Sequence, residues 1–253
     1  MAPASPRDRD AAPATDPATD PAAAPGDDTD RRKTELRRRL RARRTTLATT
    51  PDRARRDAAL VTNLCRHLDS LDSLGSADGR PAAVAAFAPL PGEPGGADLP
   101  DRLAATGRQV WLPVVDAPGR PLRWLPDVGP DHRRTAAYGI REPVPVPSVT
   151  GVDAPLPLSA LPAGLVVVLP ALAVDADGVR LGQGGGFYDR TFAPDTIRHS
   201  GNIRTRAGAA YRGRMLALVD HEEFGVPVPR TTLDLAVPVV VTDDGVSPTG
   251  AHR

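Results

Sequence analysis

Runs of consecutive apolar residues, separated by turn-forming residues, mark the strands of this chain. The longest run, residues 165–173, predicts a fully buried strand, since a strand covered on both faces shows no polar alternation. Further strands are predicted at residues 82–87, 109–115, 215–219 and 236–242, with another possible strand at 122–125. Pro238 lies inside the run at 236–242, which predicts an edge strand or a bulge there.

Apolar positions at helical spacing predict the helices. Leu36, Leu40 and Leu47 form a narrow apolar stripe in an otherwise arginine-rich segment. Asp52 fits the N-cap of a second helix that runs to about residue 68 and is followed by a polar loop at 69–81.

A short helix at 97–106 separates the strands at 82–87 and 109–115, which is the order of a parallel βαβ unit. Another helix is predicted to start near Phe187, and residues 138–143 read as a turn. This alternation predicts a doubly wound, mostly parallel α/β sheet with helices on both faces, a Rossmann-like three-layer fold. In such folds ligands bind at the carboxyl ends of the strands.

The two ends of the chain differ in composition from its middle. Residues 1–30 contain no Leu, Ile, Val or aromatic residue, which predicts a disordered tail before a single α/β domain at 31–246 and a short tail at 247–253. The first tail has no apolar core of a secretory signal, and no stretch of about 18 apolar residues occurs, so a cytoplasmic protein is expected. Cys65, the single cysteine, is expected to act as a small hydrophobe on a helix.

A glycine-rich loop at residues 178–190 follows the longest predicted strand. Four glycines within the five positions 182–186 allow backbone N–H groups to converge on an anion, with a helix N-terminus behind them. Arg180 adds a cation before the loop, and Asp189 adds a carboxylate able to hold Mg²⁺ after it. The alternative is that the glycines only form a tight turn.

Positive charge is concentrated near the amino end, although the net charge is only +1. Eleven arginines and one lysine lie between Arg31 and Arg56, a density that is typical of some nucleic-acid-binding segments. No aromatic residue is interleaved for base stacking, so an amphipathic helix with a solvated basic face is favoured and nucleic-acid binding is not expected.

Lys33 is the only lysine among 32 basic residues. In a chain that uses arginine almost everywhere, a lone lysine can mark a place where a compact point charge is needed. Lys33 and Arg37 lie four positions apart, on one face of the predicted helix, where both could reach one phosphate chain. The alternative is an accidental surface lysine.

These features together resemble the 5-formyltetrahydrofolate cyclo-ligase family, also called 5,10-methenyltetrahydrofolate synthetases. The strongest match is residues 180–190, with the sequence RLGQGGGFYDR. Weaker matches occur in the same order along the chain, at residues 33–40, 91–94, 111–113, 138–143, 170–173 and 239–242. The resemblance covers about residues 31–246.

The resemblance implies roles for individual residues. Lys33 and Arg37 would contact ATP phosphates, with Lys33 and Arg180 as the catalytic cations. The nucleotide would also be held by Arg180, Leu181, Gly182, Gln183, Gly184, Gly185, Gly186, Phe187 and Tyr188. The folate would be held by Ala88, Glu93, Tyr138, Gln183, Gly184, Gly185, Gly186 and Phe187. Asp189 and Asp234 would bind Mg²⁺.

The resemblance also implies the reaction, the ATP- and Mg²⁺-dependent cyclisation of 5-formyltetrahydrofolate to 5,10-methenyltetrahydrofolate with release of ADP and phosphate. ATP and a reduced folate would be the partners of a monomer or weak dimer, with no membrane and no nucleic acid. Leu233 stands where family members usually have a histidine, and Phe187 replaces the first of two tyrosines. The alternative is therefore a weakened paralogue that binds nucleotide or reduced folate without efficient turnover.

Overall fold

A computed structural model describes residues 25–75, 81–192, 211, 214–231 and 234–252. Most of the predicted amino-terminal tail, nearly all of the polar segment at 193–214, and Leu233 lie outside the described residues. Five α-helices occur in the described part. They are α1 Pro25–Ala48, α2 Asp52–Gly75, α3 Leu99–Ala104, α4 Pro147–Thr150 and α5 Phe187–Phe192.

The described strands form one large sheet and two small hairpins. They are β1 Val84–Ala85, β2 Val110–Val114, β3 Arg123–Pro126, β4 Arg133–Thr135, β5 Arg141–Pro143, β6 Val166–Pro170, β7 Ala173–Val174, β8 Arg180–Leu181, β9 Met215–Leu218, β10 Val239–Val241 and β11 Val246–Pro248. The large sheet has the order β11-β10-β9-β6-β1-β2-β3. Its five central strands are parallel, and β3 and β11 run antiparallel at the two edges.

Apolar side chains cover both faces of this sheet. On one face α2 and α3 pack Leu60, Leu64 and Leu103 against the strands. On the other face Trp124 and Phe192 belong to a core that includes the apolar side chains of β6 and β9. The prediction of a mostly parallel α/β sheet with helices is thus confirmed, as is the parallel βαβ unit formed by β1, α3 and β2.

Helix α1 packs away from the large sheet. Its stripe residues Leu36 and Leu40 are buried against the hairpin β7–β8, in a small core that also contains Leu181. That hairpin follows β6 directly, so the glycine loop begins after β8 and not at the end of the long strand as the sequence indicated. The helix thereby lies against the glycine loop along one side.

Several predicted boundaries are wrong. Helix α2 continues to Gly75 through the predicted loop, because Leu71 extends its apolar face. Helix α1 begins at Pro25, so the predicted tail cannot reach residue 30. Pro238 precedes β10, which is not an edge strand because β11 pairs with it. Strand β11 and the buried Thr249 also place most of the predicted carboxyl-terminal tail on the domain.

Arginines of α1 and α2 bind the acidic turn at residues 220–223. Arg44 forms two hydrogen bonds with Glu223, of 2.8 and 2.7 Å, and this ion pair is buried. Arg53 binds Asp220, and Arg56 binds Glu222. The hydrogen bond from Arg56 lowers the pKa of Glu222 from 4.5 to about 2, against a smaller effect of burial. These pairs hold the two helices to the carboxyl end of β9.

The Arg56–Glu222 pair predicts an acid-dependent contribution to stability. Because the folded pKa lies below the unfolded value, this contribution is complete above pH 4.5 and disappears as the pH falls toward about 2. Glu222→Gln should therefore lower the free energy of unfolding at pH 6 by up to about 1 kcal/mol, since the carboxylate is one-third exposed. At about pH 2.5, close to the folded pKa of Glu222, the stability difference between this variant and the unmodified protein should be much smaller.

Urea unfolding at the two pH values measures this difference. Glu35→Gln is the matched control, because Glu35 pairs with Arg38 on the fully exposed side of α1. An equal loss of stability at both pH values would show that the Arg56–Glu222 pair does not titrate as the geometry indicates.

Candidate functional site

Helix α1 presents a row of basic residues to the rest of the site. Lys33, Arg37, Arg41 and Arg44 follow one another at spacings of three or four, which places them on one face of the helix. Each binds a different acceptor, and three of these acceptors lie around the glycine loop. The helix is therefore a rigid support along which the loop is attached.

The glycine loop is held by its carbonyl groups. Arg37 Nε donates to the Gly182 carbonyl at 3.0 Å, and Arg41 Nη2 donates to the Gln183 carbonyl at 2.6 Å. Gly184 has φ +104°, a conformation that other residues rarely adopt, and Gly186 has φ +63°. Backbone N–H groups of residues 183–186 find no acceptor within the described part of the chain. A run of free N–H groups on a glycine-rich loop suits an anion.

Lys33 is buried and belongs to this site. Its Nζ lies 2.6 and 2.7 Å from the two carboxylate oxygens of Asp234. Asp234 reaches α1 because the next residue, Leu235, accepts a hydrogen bond from the backbone N–H of Arg180 at 3.0 Å. With 7% of its surface exposed, Lys33 is not an accidental surface lysine, and that alternative is wrong.

Arg180 lies beneath the loop. Its Nη1 donates to the Pro170 carbonyl at 3.0 Å, and its Nη2 donates to Asp189 Oδ1 at 2.9 Å. The guanidinium is 5.6 Å from the ring centroid of Tyr188, within cation–π range. Burial raises the pKa of the Tyr188 phenol, so it stays protonated near neutral pH, while Arg180 acts in the opposite direction. Arg180 Nε is buried with no partner among the described residues.

The turn at residues 88–94 closes another side of the loop. Glu93 is buried, and its Oε2 accepts a hydrogen bond from the Leu90 backbone N–H at 2.9 Å. Its Oε1 accepts a hydrogen bond from Gln183 Nε2, also at 2.9 Å. Glu93 is also near enough to Tyr188 to raise the pKa of the phenol. The turn and the glycine loop are thus adjacent.

Arg37 lies within electrostatic range of both candidate metal-binding carboxylates, Asp234 and Asp189. Burial and the neighbouring Arg41 lower the pKa of Arg37, whereas Asp234 and Asp189 both raise it. Both carboxylates therefore act on the same guanidinium. The structure brings together Lys33, Arg37, Arg180, Gln183, Asp189, Asp234 and Glu93 around one glycine loop.

Three predicted contact residues are placed differently. Tyr138 is 69% exposed at the tip of the β4–β5 hairpin, with φ +62°. The hairpin is tied to the carboxyl end of β2, where Glu142 accepts the Val115 N–H at 2.9 Å. Leu181 and Ala88 are buried, and Leu181 packs in the core under α1. A binding role for these three side chains stays a prediction.

The sequence interpretation missed Arg41 and the pairing of Arg44 with Glu223. Arg41 lies four residues after Arg37, so the helical spacing that selected Lys33 and Arg37 could have extended to it. Arg44 also donates to the Ala171 carbonyl at 2.6 Å, next to the Pro170 carbonyl that Arg180 binds. No sequence signal indicated this contact, which joins distant segments.

The two candidate metal-binding carboxylates, Asp234 and Asp189, differ in how many of their oxygens already accept hydrogen bonds. Both oxygens of Asp234 are bound to Lys33, and Oδ2 also accepts the Thr231 N–H at 2.6 Å. Asp189 Oδ1 accepts the hydrogen bond from Arg180, and Oδ2 has no partner among the described residues. No cluster of three or more acidic, His or Cys side chains suited to a metal occurs in the ranges that the structure describes. Any ion here would depend on Asp189 and on ligands from a substrate.

Comparison with known proteins decides the family. A family model described as 5-formyltetrahydrofolate cyclo-ligase matches residues 29–243. The chain belongs to this family. A 5-formyltetrahydrofolate cyclo-ligase of Mycolicibacterium smegmatis is 36% identical over 163 residues, which cover 63% of this chain and 72% of the relative. The enzyme of the same name from Escherichia coli is 32% identical over 149 residues, 58% of this chain and 74% of the relative.

Solved structures support the fold of this cyclo-ligase family member. The NMR structure of Aquifex aeolicus 5,10-methenyltetrahydrofolate synthetase aligns with a TM-score of 0.57 at 22% identity, covering 85% of this chain and 92% of that one. A Mycoplasma pneumoniae synthetase of the same name aligns with a TM-score of 0.52 at 14% identity, covering 83% and 98%. The resemblance read from the motifs is confirmed, and the family is one of ligases. No helix in the described ranges is long and apolar enough to cross a membrane.

Proposed function

We propose that this chain catalyses the ATP-dependent cyclisation of 5-formyltetrahydrofolate to 5,10-methenyltetrahydrofolate, with release of ADP and phosphate. The observation that carries the proposal is the run of N–H groups at residues 183–186 that have no acceptor among the described residues, together with the buried cations Lys33 and Arg180 and the half-buried Arg37 around the loop. Free N–H groups and cations around a glycine loop suit a polyphosphate. Family membership supplies the folate.

The proposed reaction needs no nucleophile from the protein. The γ-phosphoryl group of ATP is transferred to the formyl oxygen, which turns that oxygen into a leaving group. N10 of the folate then attacks the formyl carbon, the C–O bond to the phosphorylated oxygen breaks, and N10 loses its proton to solvent. One C–N bond is formed, and ADP and phosphate leave. In such a reaction the protein has two tasks, to position the substrates and to neutralise the phosphate charge.

The described residues divide these tasks by position. Lys33 and the loop N–H groups would bind the phosphates, while Arg180 would act from below by holding Asp189 and Tyr188 in place. Glu93 would contact the folate, since it borders the loop from the turn at residues 88–94. Phe187, which follows the loop and is only partly buried, would also contact the folate. This gives each substrate one wall of a shared pocket.

Mg²⁺ fits this site through one carboxylate. Mg²⁺ in nucleotide sites is commonly held by one or two carboxylates plus substrate phosphates, and the available Oδ2 of Asp189 meets that requirement. When bound, the ion would neutralise phosphate charge. Asp234 would contribute by holding the Lys33 ammonium, because both of its oxygens are bound there.

Turnover of the purified chain tests the proposal. Addition of 5-formyltetrahydrofolate, ATP and Mg²⁺ should produce the absorbance of the methenyl product, and ADP should form in a one-to-one ratio with it. Omitting ATP is the control for spontaneous cyclisation. Absence of methenyl product at high enzyme concentration would refute the proposal.

A second candidate is a weakened paralogue that binds the substrates without efficient turnover. The observation in its favour is the engagement of both Asp234 oxygens by Lys33, which leaves one available carboxylate for a metal. Calorimetric binding of reduced folate or ATP by a chain that gives no product would establish this candidate.

A further inference from the structure

Three side chains form a hydrogen-bonded chain across the site, which we name the Arg41 relay. Arg41 Nε donates to Gln183 Oε1 at 3.0 Å, and Gln183 Nε2 donates to Glu93 Oε1 at 2.9 Å. Glu93 Oε2 in turn accepts the Leu90 N–H at 2.9 Å. The relay therefore connects helix α1, the glycine loop and the turn at residues 88–94.

The chemistry of the partners fixes the direction of the Gln183 amide. A guanidinium can only donate, and an ionised carboxylate can only accept, so Oε1 must face Arg41 and Nε2 must face Glu93. Rotating the amide by half a turn would oppose donor to donor and acceptor to acceptor. Gln183 is exposed, yet both ends of its amide are held.

Arg41 also controls the backbone of the loop. Its Nη2 holds the Gln183 carbonyl at 2.6 Å, while Arg37 holds the Gly182 carbonyl at 3.0 Å. In a trans peptide the C=O and N–H groups point in opposite directions. The N–H groups of Gln183 and Gly184 therefore point away from α1, and they are two of the free donors of the candidate phosphate site.

We propose that Arg41 and Gln183 are positioning residues that couple the two substrate sites, so that binding of a nucleotide at the glycine loop strengthens binding of the folate at the Glu93 turn, and the reverse. This inference rests on the proposed function. The same side chain of Arg41 sets the direction of the N–H groups and, through Gln183, the position of Glu93. A ligand that orders one part of the relay reduces the ordering cost of the other, and such coupling is reciprocal.

Calorimetry with a non-hydrolysable ATP analogue and 5-formyltetrahydrofolate measures the coupling. In the unmodified protein with Mg²⁺, the analogue should tighten folate binding by about 5-fold or more, the lower end of typical allosteric coupling. In Arg41→Met and in Gln183→Leu this ratio should fall to near one. In turnover, both variants should raise the KM of both substrates more than they lower kcat.

The variant Arg41→Lys distinguishes the effect of the planar guanidinium geometry on the coupling from the effect of its positive charge. Lysine keeps the positive charge but lacks the planar fork that reaches both Gln183 oxygens, so the coupling ratio should stay near one. Arg38→Met is the matched control, because Arg38 lies on the exposed side of the same helix and pairs there with Glu35. Thermal unfolding of each variant checks that the fold is retained.

The possible outcomes are distinct. Full coupling in Arg41→Met or Gln183→Leu, or restoration of coupling by Arg41→Lys, would overturn the relay. Absence of coupling in the unmodified protein would overturn it as well, while turnover by that protein would leave the proposed function standing. Failure of the unmodified protein to bind either substrate would remove both proposals.

Discussion

Replacing Lys33 with methionine should lower kcat/KM for ATP by about 10²- to 10³-fold, the loss typical of removing one preorganised charge-stabilising group. Lys33 is buried on the face of α1 that also carries Arg37, so its charge acts in a medium where water screens little. Lys33→Arg should also weaken ATP use, because the larger planar group does not fit the position of a compact ammonium held by Asp234. Steady-state kinetics with varied ATP measure both effects.

A double variant distinguishes a role on the substrate from a role on Asp234. Lys33→Met alone leaves the Asp234 carboxylate without its cation, which could itself repel phosphate. The variant Lys33→Met with Asp234→Asn removes both charges. If this double variant recovers ATP use, Lys33 only neutralises Asp234, and its assignment as a phosphate ligand is wrong. Arg38→Met on the exposed side of α1 is the control for lost positive charge.

The central part of the fold could be predicted because its signals are local. Strand β6 is a continuous apolar run, and such a run is buried in any sheet of this class. Helix α1 has leucines at helical spacing, so the face that carries Lys33 and Arg37 follows from the sequence alone. The order of β1, α3 and β2 is likewise sufficient to predict a parallel pair.

The edges of the fold could not be predicted because their signals are weak or distant. Strand β11 has only three residues and becomes a strand by pairing with β10, which no local pattern indicates. The hairpin β7–β8 is formed by strands of two residues each, too short to show alternation. Tertiary pairing therefore decided where β6 ends and where the glycine loop begins.

The candidate site shows the same division between local and distant information. Its residues are predicted from motifs and from the family resemblance, but their partners are not, since the Lys33–Asp234 pair joins positions 201 residues apart. No pattern in the sequence ranks Asp189 against Asp234 as a metal ligand. That ranking depends on which carboxylate oxygens already have partners, and only the folded chain shows that both oxygens of Asp234 are occupied.

Replacing Asp189 with asparagine should abolish the Mg²⁺ dependence of turnover and lower kcat by about 10²-fold or more, since the site loses the carboxylate whose Oδ2 has no partner in the described ranges. Asparagine keeps an oxygen that can accept the hydrogen bond from Arg180, so the fold should be retained. The loss of charge beside a buried arginine should cost about 1–3 kcal/mol of stability. Turnover titrated with Mg²⁺ and calorimetric binding of ATP with and without Mg²⁺ measure the effect.

Asp177→Asn is the matched control, because Asp177 forms an exposed pair with Arg230 and should change neither turnover nor Mg²⁺ dependence. Asp234→Asn completes the comparison. If Asp234 serves to hold Lys33, this variant should weaken ATP use while the Mg²⁺ concentration at half-maximal turnover stays unchanged. If the Mg²⁺ requirement instead shifts in Asp234→Asn and not in Asp189→Asn, Asp234 is the metal ligand. The pair with Lys33 would then have to open each time the metal and ATP bind.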